Sequence, residues 1–440
     1  MSLTDFRGGR AFKHRNYRLF FGGQAVSLIG TWMQQVAQGW LVLQLTGDPW
    51  MLGVIAVAQF GPIVVFGLFG GVLADQLPKR QTLIWTQGAA MVLAFAMFGL
   101  TASGVVEVWH IVVLAVLLGF VNAIDMPTRQ AFAVEMVGRD DMTNAVGLNS
   151  ALFNGSRIVG PAIAGLLIGW FDISVAFLIN GISFIAVIAA YQLMRDEDLR
   201  PAPKVERPTS WAGVMENLAE GVSYVRRTPL VLLAVSVVGL GATFGMNFSV
   251  LAPPLADHIL DVGATGFGFL MAATGIGSTA AALGVAFARR PRPRQMVLGT
   301  IALGLGSLVL AWSTSFPISL LAMTVVGAGA MAMAVTANAT IQLAVPDQLR
   351  GRVMSVYTTV FSASVPAGGL VMGAIASRFN VPLAFAVGGW LTLAVGIGAW
   401  YWLRRLEARG EARLPARKVA AGVVGAATAD ASSLTSARPR

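Results

Sequence analysis

The sequence predicts an all-α membrane protein of about twelve spans. Three observations predict it: very little charge, a succession of long apolar runs, and lysine and arginine confined to alternate breaks between those runs. Of 440 residues, 56% are hydrophobic and 12% are charged, with a mean hydropathy of +0.70. A soluble domain carries roughly twice that fraction of charge. So few polar groups cannot cover a water-facing surface, and lipid is the solvent for most of the chain.

Spanning a bilayer takes about 20 apolar residues at about 1.5 Å each. Runs of that length lie near 17–45, 50–74, 82–103, 108–127, 143–170 and 174–194. A second set lies near 229–256, 264–288, 295–314, 317–344, 352–377 and 382–403. The basic residues 1–18 lead directly into the first run, so they read as a flank and not as a cleavable signal.

Charge placement sets the orientation. With residues 1–16 placed inside as a basic N-terminal segment, all but two of the 31 lysines and arginines fall on inner segments; the exceptions are Arg157 and Arg378. This positive-inside asymmetry puts both termini in the cytoplasm and requires an even number of spans. The basic residues therefore mark membrane topology, and the net charge of +10 does not imply nucleic acid.

The two halves repeat one another. A shift of 208 residues aligns Val137, Phe153, Ser156, Gly160, Gly165, Phe171, Ala176 and Phe177 with Val345, Phe361, Ser364, Gly368, Gly373, Phe379, Ala384 and Phe385. The expected domains are a six-helix bundle over 17–194 and another over 229–404. Between them lies a charged, proline-containing cytoplasmic linker, 195–228, whose Trp211–Val225 part has helical spacing suited to the membrane surface. A basic, Ala-rich tail, 405–440, is expected to be disordered.

The break after the second run reads Gly71-Val-Leu-Ala-Asp75-Gln-Leu-Pro78-Lys79-Arg80. It resembles the G-x-x-x-D-R-x-G-R-K signature of the major facilitator superfamily, with Gln76 and Pro78 replacing the usual Arg and Gly. The resemblance implies a gate in which Lys79 and Arg80 meet an acid on a neighbouring helix; the family places that acid at Asp125, four residues before Arg129. Such a cluster can lock one state of an alternating-access cycle and break in the other. In the second half Ala288 stands at the acid position, so any charge lock is asymmetric.

The fifth run carries Gly155-Ser-Arg157-Ile-Val-Gly160-Pro161-Ala-Ile-Ala-Gly165. It resembles the G-x(n)-G-P-x-x-G motif of exporters in that superfamily. Small residues let helices approach, and Pro161 removes a backbone hydrogen bond. A guanidinium inside a span costs at least about 2.5–3.5 kcal/mol on insertion scales, so Arg157 should face a cavity or a partner. The first run is rich in amides and indoles: Trp32, Gln34, Gln35, Gln38, Trp40 and Gln44. Trp32, Gln34, Gln38 and Arg157 are therefore expected against substrate, together with Asn122, Asn154, Asn247, Asn338 and Tyr357. Hydrogen bonding between helices is the competing role for each.

The runs from Asn122 to Gln130, Asn144 to Ser150 and Arg157 to Pro161 resemble the enterobactin-exporter branch of the superfamily, also called transmembrane secretion effectors. The resemblance extends from residue 12 to about 405. It implies two pseudo-symmetric six-helix bundles in a bacterial inner membrane and export of a siderophore, drug or other amphiphile. It also implies exchange for protons, and a monomer is expected. Asp125 is the acid expected to carry a proton.

No cofactor is expected. There is no cysteine, the three histidines are dispersed, and no P-loop supplies an ATP motor. Uptake in symport with protons is the alternative direction. A membrane-embedded transferase would need His, Asp or Glu clustered at one membrane face, and a sensor would need a sizeable soluble domain. The sequence offers neither.

Overall fold

The computed structural model describes residues 7–200, 211–287 and 292–412; the side chains of 7, 8, 68–76, 139, 211, 212, 214 and 286 lie outside the described set. The first half comprises α1 (Arg15–Thr46), α2 (Pro49–Gln76), α3 (Lys79–Ala102), α4 (Val108–Gly138), α5 (Asp140–Trp170) and α6 (Ile173–Gln192). The second comprises α7 (Pro229–Ile259), α8 (Gly263–Phe287), α9 (Pro293–Trp312), α10 (Phe316–Ala344), α11 (Asp347–Arg378) and α12 (Val381–Ala408).

Eleven of these are long and apolar enough to cross a membrane by themselves. The exception is α1, whose amides and glycines lower its hydropathy. It packs among α4, α5 and α6 and buries Gln24, Gln34 and Gln38, so those polar groups are turned away from lipid.

Two expected boundaries move. The fourth span runs on to Gly138 and the fifth starts at Asp140, so both are longer than expected, and the chain bends between them at Gly138, whose φ of +74° is left-handed. The chain leaving α6 covers this break: the Arg200 N–H donates to the Glu135 carbonyl (2.8 Å), and a Cβ on Gly138 would meet Arg200 Nη1 at 2.6 Å. The seventh span is broken. Its helix stops at Gly245, restarts at Phe248 and passes through Pro253 and Pro254 into a π-turn at Leu255–Ile259. The linker helix runs from Trp211 to Arg227 and rests on the start of α11, where Glu220 pairs with Arg352. The three linker prolines, Arg289 and Arg290, and the tail from 413 onward lie outside the described residues.

The two halves pack alike. In the first, α1 contacts α6, α3 contacts α6 and α2 contacts α4; in the second, α7 contacts α12, α9 contacts α12 and α8 contacts α10. The 208-residue repeat acts at individual atoms. A Cβ on Gly160 would lie 2.6 Å from Trp32 Cβ of α1, while Gly368 presses on the Thr243 carbonyl of α7. Likewise a Cβ on Gly165 would lie 3.0 Å from Gly268 Cα of α8, and one on Gly373 would lie 2.9 Å from the Pro49 carbonyl of α2. Asp172 and Asn380, also 208 apart, each cap the helix that follows by accepting a backbone N–H, from Ser174 (2.8 Å) and Leu383 (2.7 Å). The Ser174 donors hold the Asp172 carboxyl below the usual carboxylate range.

The halves meet through α2 with α11 and α5 with α8. The close approaches, Gly53 with Gly369 and Gly165 with Gly268, lie towards the end remote from the basic loops. Towards the basic end of these four helices, Gly61, Gly147, Gly155, Gly284 and Gly351 have no foreign atom within 4 Å. Among the described glycines, the close contacts between the halves therefore run from the end remote from the basic loops to Gly275, which faces the Arg157 carbonyl, and lapse beyond it.

Gly165→Leu should wedge the closed end apart, since overpacking a tight contact costs about 1–3 kcal/mol. The chain has no cysteine, so a single cysteine at Phe267, buried under Trp40 at that seam, reports directly. Maleimide should label it faster in the Gly165→Leu background. An unchanged rate would show that this contact does not hold the end closed.

Candidate functional site

The basic end of the first half is laced by ion pairs. Lys79, at the start of α3, pairs with Glu135 of α4 (2.8 Å). Arg80 pairs with Asp196 (2.6 Å) and donates from Nε and Nη2 to the carbonyls of Tyr191 and Gln192. The expected pairing of these two cations with Asp125 therefore does not occur in this state. Glu135 is nearly three turns nearer the basic end of α4, and it intercepts the lysine. Helix α2 is continuous through Gly71 and Asp75, but the Asp75 side chain lies outside the described residues.

Asp125 lies deeper and is 2% exposed. Its Oδ1 accepts from Thr86 Oγ1 (2.7 Å) and Gln87 Nε2 (2.8 Å) of α3, and its Oδ2 pairs with Arg129 (2.9 Å) one turn along α4. Arg129 also donates to Gln24 Oε1 of α1 (2.9 Å), and Gln24 donates to the Tyr191 hydroxyl of α6 (3.3 Å). Four helices thus share one chain of polar groups. A buried pair is tolerable when its remaining lone pairs and protons are satisfied in this way.

Arg129 and Gln24 also reach a cavity of about 500 Å³ between α1, α4 and α5, where Met126, Phe153 and Asn154 form much of the wall. One turn along α5 from Phe153 is Arg157. Its guanidinium carbon lies 5.6 Å from the ring centre of Trp32 (α1) and 5.5 Å from that of Phe248 (α7). Trp32 is also edge-on to Phe153, at 5.6 Å. Arg157 has no ion pair among the described residues, and its Nε is buried without a hydrogen-bond partner. Two cation–π contacts, each worth about 2 kcal/mol when desolvated, are of the size needed to offset the insertion cost.

Of the residues expected at substrate, the structure brings together Trp32 and Arg157, with Asn154 one turn away on α5. Gln34 does not join them: it accepts from Asn180 Nδ2 of α6 (2.6 Å) and is used up in packing. Gln38 is buried, and Asn122 is partly buried on α4. Asn154 and Asn247 donate to carbonyls one turn back in their own helices, and each keeps a buried Oδ1 without a partner. On the other half, Asn338 accepts from Gln342, and Tyr357 donates to the Ala334 carbonyl (3.2 Å). Phe248 escapes sequence reasoning because one aromatic in an apolar run carries no signal. The only hint is Asn247 beside Gly245, with Pro253-Pro254 beyond, in a run longer than a bilayer requires.

In the exporter-type motif, Gly155 faces open space, Gly160 lies against α1, and Gly165 lies against α8 with its carbonyl accepting from Thr265 Oγ1 (3.0 Å). Pro161 is inside α5, and its carbonyl faces Gly268.

Twelve helices in two matching bundles, meeting around a polar and aromatic centre, define a membrane transporter of small molecules with the major facilitator fold. The chain belongs to the transmembrane secretion effector family, whose profile matches residues 10–426. The multidrug efflux pump Tap of Mycolicibacterium fortuitum is 28% identical over 380 residues, covering 84% of this chain and 92% of that protein. The staphyloferrin A transporter of Staphylococcus aureus is 23% identical over 412 residues, covering 90% and 98%. In fold, the nucleoside transporter NupG is similar with a TM-score of 0.73 at 11% identity, over 88% of this chain and 99% of that one. The family and these relatives are transporters, not enzymes.

Asp125→Asn strands Arg129 in the protein. Breaking a buried pair costs about 3–5 kcal/mol, and the lower end applies because the Arg129 side chain is 26% exposed. Thermal unfolding in detergent should show a clear fall, and adding Arg129→Gln should recover part of it. Equal melting of wild type and the single variant would mean the pair is not stabilising.

Proposed function

We propose that this chain exports a small amphiphilic molecule from the bacterial cytoplasm by alternating access, in exchange for protons. The observation that carries the reading is the one-sided closure. The halves are pressed together at the end remote from the basic loops, and the close contacts lapse towards the basic end. With both termini cytoplasmic, as the positive-inside rule requires, this is the state open to the cytoplasm. A molecule entering from that side reaches the wall of Met126, Phe153 and Asn154 and then the Trp32–Arg157–Phe248 cluster.

The bundles 17–194 and 229–404 rock about this centre. Lys79–Glu135 and Arg80–Asp196 stiffen the basic end of the first bundle and re-pair as that end closes. Asp125, the most buried carboxylate among the described residues, carries the proton, and its release from Arg129 accompanies the change of state. Export also fits the names of two relatives that are efflux pumps, Tap and the macrolide efflux protein A of Streptococcus pyogenes. One chain holds both halves of the pathway, so the working unit is a monomer.

The test is a panel of antibiotics, dyes and siderophores in cells lacking their own efflux pumps. Cells expressing the chain should accumulate less of at least one compound, and a protonophore should abolish the difference. Unchanged accumulation across the panel, with the protein inserted, would refute export. Greater accumulation would instead establish uptake.

A further inference from the structure

Arg157 poses a problem of charge. The helices around it offer no counter-ion: α1 and α8 contain no acid, and the one acid of α7, Asp257, is nine residues past Phe248. On α5 itself, Asp140 and Asp141 lie more than four turns away, and Asp172, which caps α6, lies about four turns away in the other direction. Packing does not demand the residue, because the position 208 residues later is Val365 at the equivalent place in α11. A guanidinium that served only structure would meet an acid or a carbonyl. This one meets two ring faces and leaves Nε without a partner.

We propose that Arg157 is the anchor for an oxyanion on the transported molecule, a carboxylate or similar group attached to a flat apolar body. The planar fork of a guanidinium matches two oxygens of such a group, and the rings of Trp32 and Phe248 offer faces for the body. In a low dielectric an uncompensated positive centre repels a cation and favours an oxyanion over a neutral acceptor. The arrangement also links cargo to conformation. Arg157 and Trp32 belong to the first bundle and Phe248 to the second, at the broken segment of α7. An anion that takes the guanidinium from Phe248 removes a contact across the seam, and so biases the equilibrium between the two closures. The inference rests on the central cluster being the transport site.

The test uses the full chain in lipid nanodiscs and three probes of one shape: naphthalene-2-carboxylate, naphthalene-2-carboxamide and naphthalen-2-ylmethylammonium. By equilibrium dialysis, wild type should bind the carboxylate at least about tenfold more tightly than the other two, the scale of one charged hydrogen bond. Arg157→Gln should lose that preference and Arg157→Lys should keep part of it, with size-exclusion profiles confirming that both variants are folded. No preference, a preference that survives Arg157→Gln, or no binding of the carboxylate to folded wild type would each overturn the anchor. Export is read separately in the cell panel. A neutral cargo pumped equally by wild type and Arg157→Gln would leave export standing and remove the anchor. Carboxylate binding with no compound moved in either direction would do the reverse.

Discussion

Lipid offers no hydrogen-bond partner, so polar groups inside this bilayer-spanning chain must find one within the protein. The backbone meets that demand with helices, and the side chains meet it by pairing across helices: Gln34 with Asn180, Asp125 with Thr86 and Gln87, Gln24 with Tyr191. Lipid also removes the hydrophobic drive for helices to associate. Close approach at small residues takes its place, which is why glycine occurs at so many of the contacts between α1, α2, α5, α7, α8 and α11.

The same constraint makes the protein movable. Contacts made by glycines against backbone are short-range, and among the described residues the one directional bond that joins the halves at these glycines is that of the Thr265 hydroxyl to the Gly165 carbonyl (3.0 Å), so a bundle can roll away from its neighbour without breaking a polar network. Among the described residues no ion pair joins one half to the other: Lys79–Glu135 and Arg294–Glu407 lie within a half, Arg80–Asp196 and Arg352–Glu220 tie a half to the linker, and they stiffen each half as a body. The seam between halves is built from Gly53 with Gly369, Gly165 with Gly268, Trp40 on Phe267, and Arg157 against Phe248. Rigid bodies with a soft seam are what alternating access requires.

Symmetry covers the frame and stops at the chemistry. Gly160 and Gly165 repeat as Gly368 and Gly373, and the caps repeat as Asp172 and Asn380. Arg157 faces Val365 in that alignment, and the first half alone carries the Asp125–Arg129 network. The two bundles therefore share a packing plan, while charge is concentrated in one of them.

Membrane residence, the order of spans and the repeat were legible in the chain, because hydropathy, charge and spacing are local properties. So was the first span's richness in amides, though not which amides face a cavity. Gln34 and Trp32 are two residues apart on one helix, yet Gln34 is spent on α6 while Trp32 meets Arg157. The partner of Lys79 was equally hidden. Asp125 and Glu135 are on the same helix, and only depth in the membrane favours Glu135. By itself the sequence determined that there would be twelve helices in two alike halves, since all but α1 are apolar enough to be selected by their own transfer into lipid. The tertiary structure alone decided which side chains meet, because helix rotation and depth are set by contacts between segments far apart in the chain.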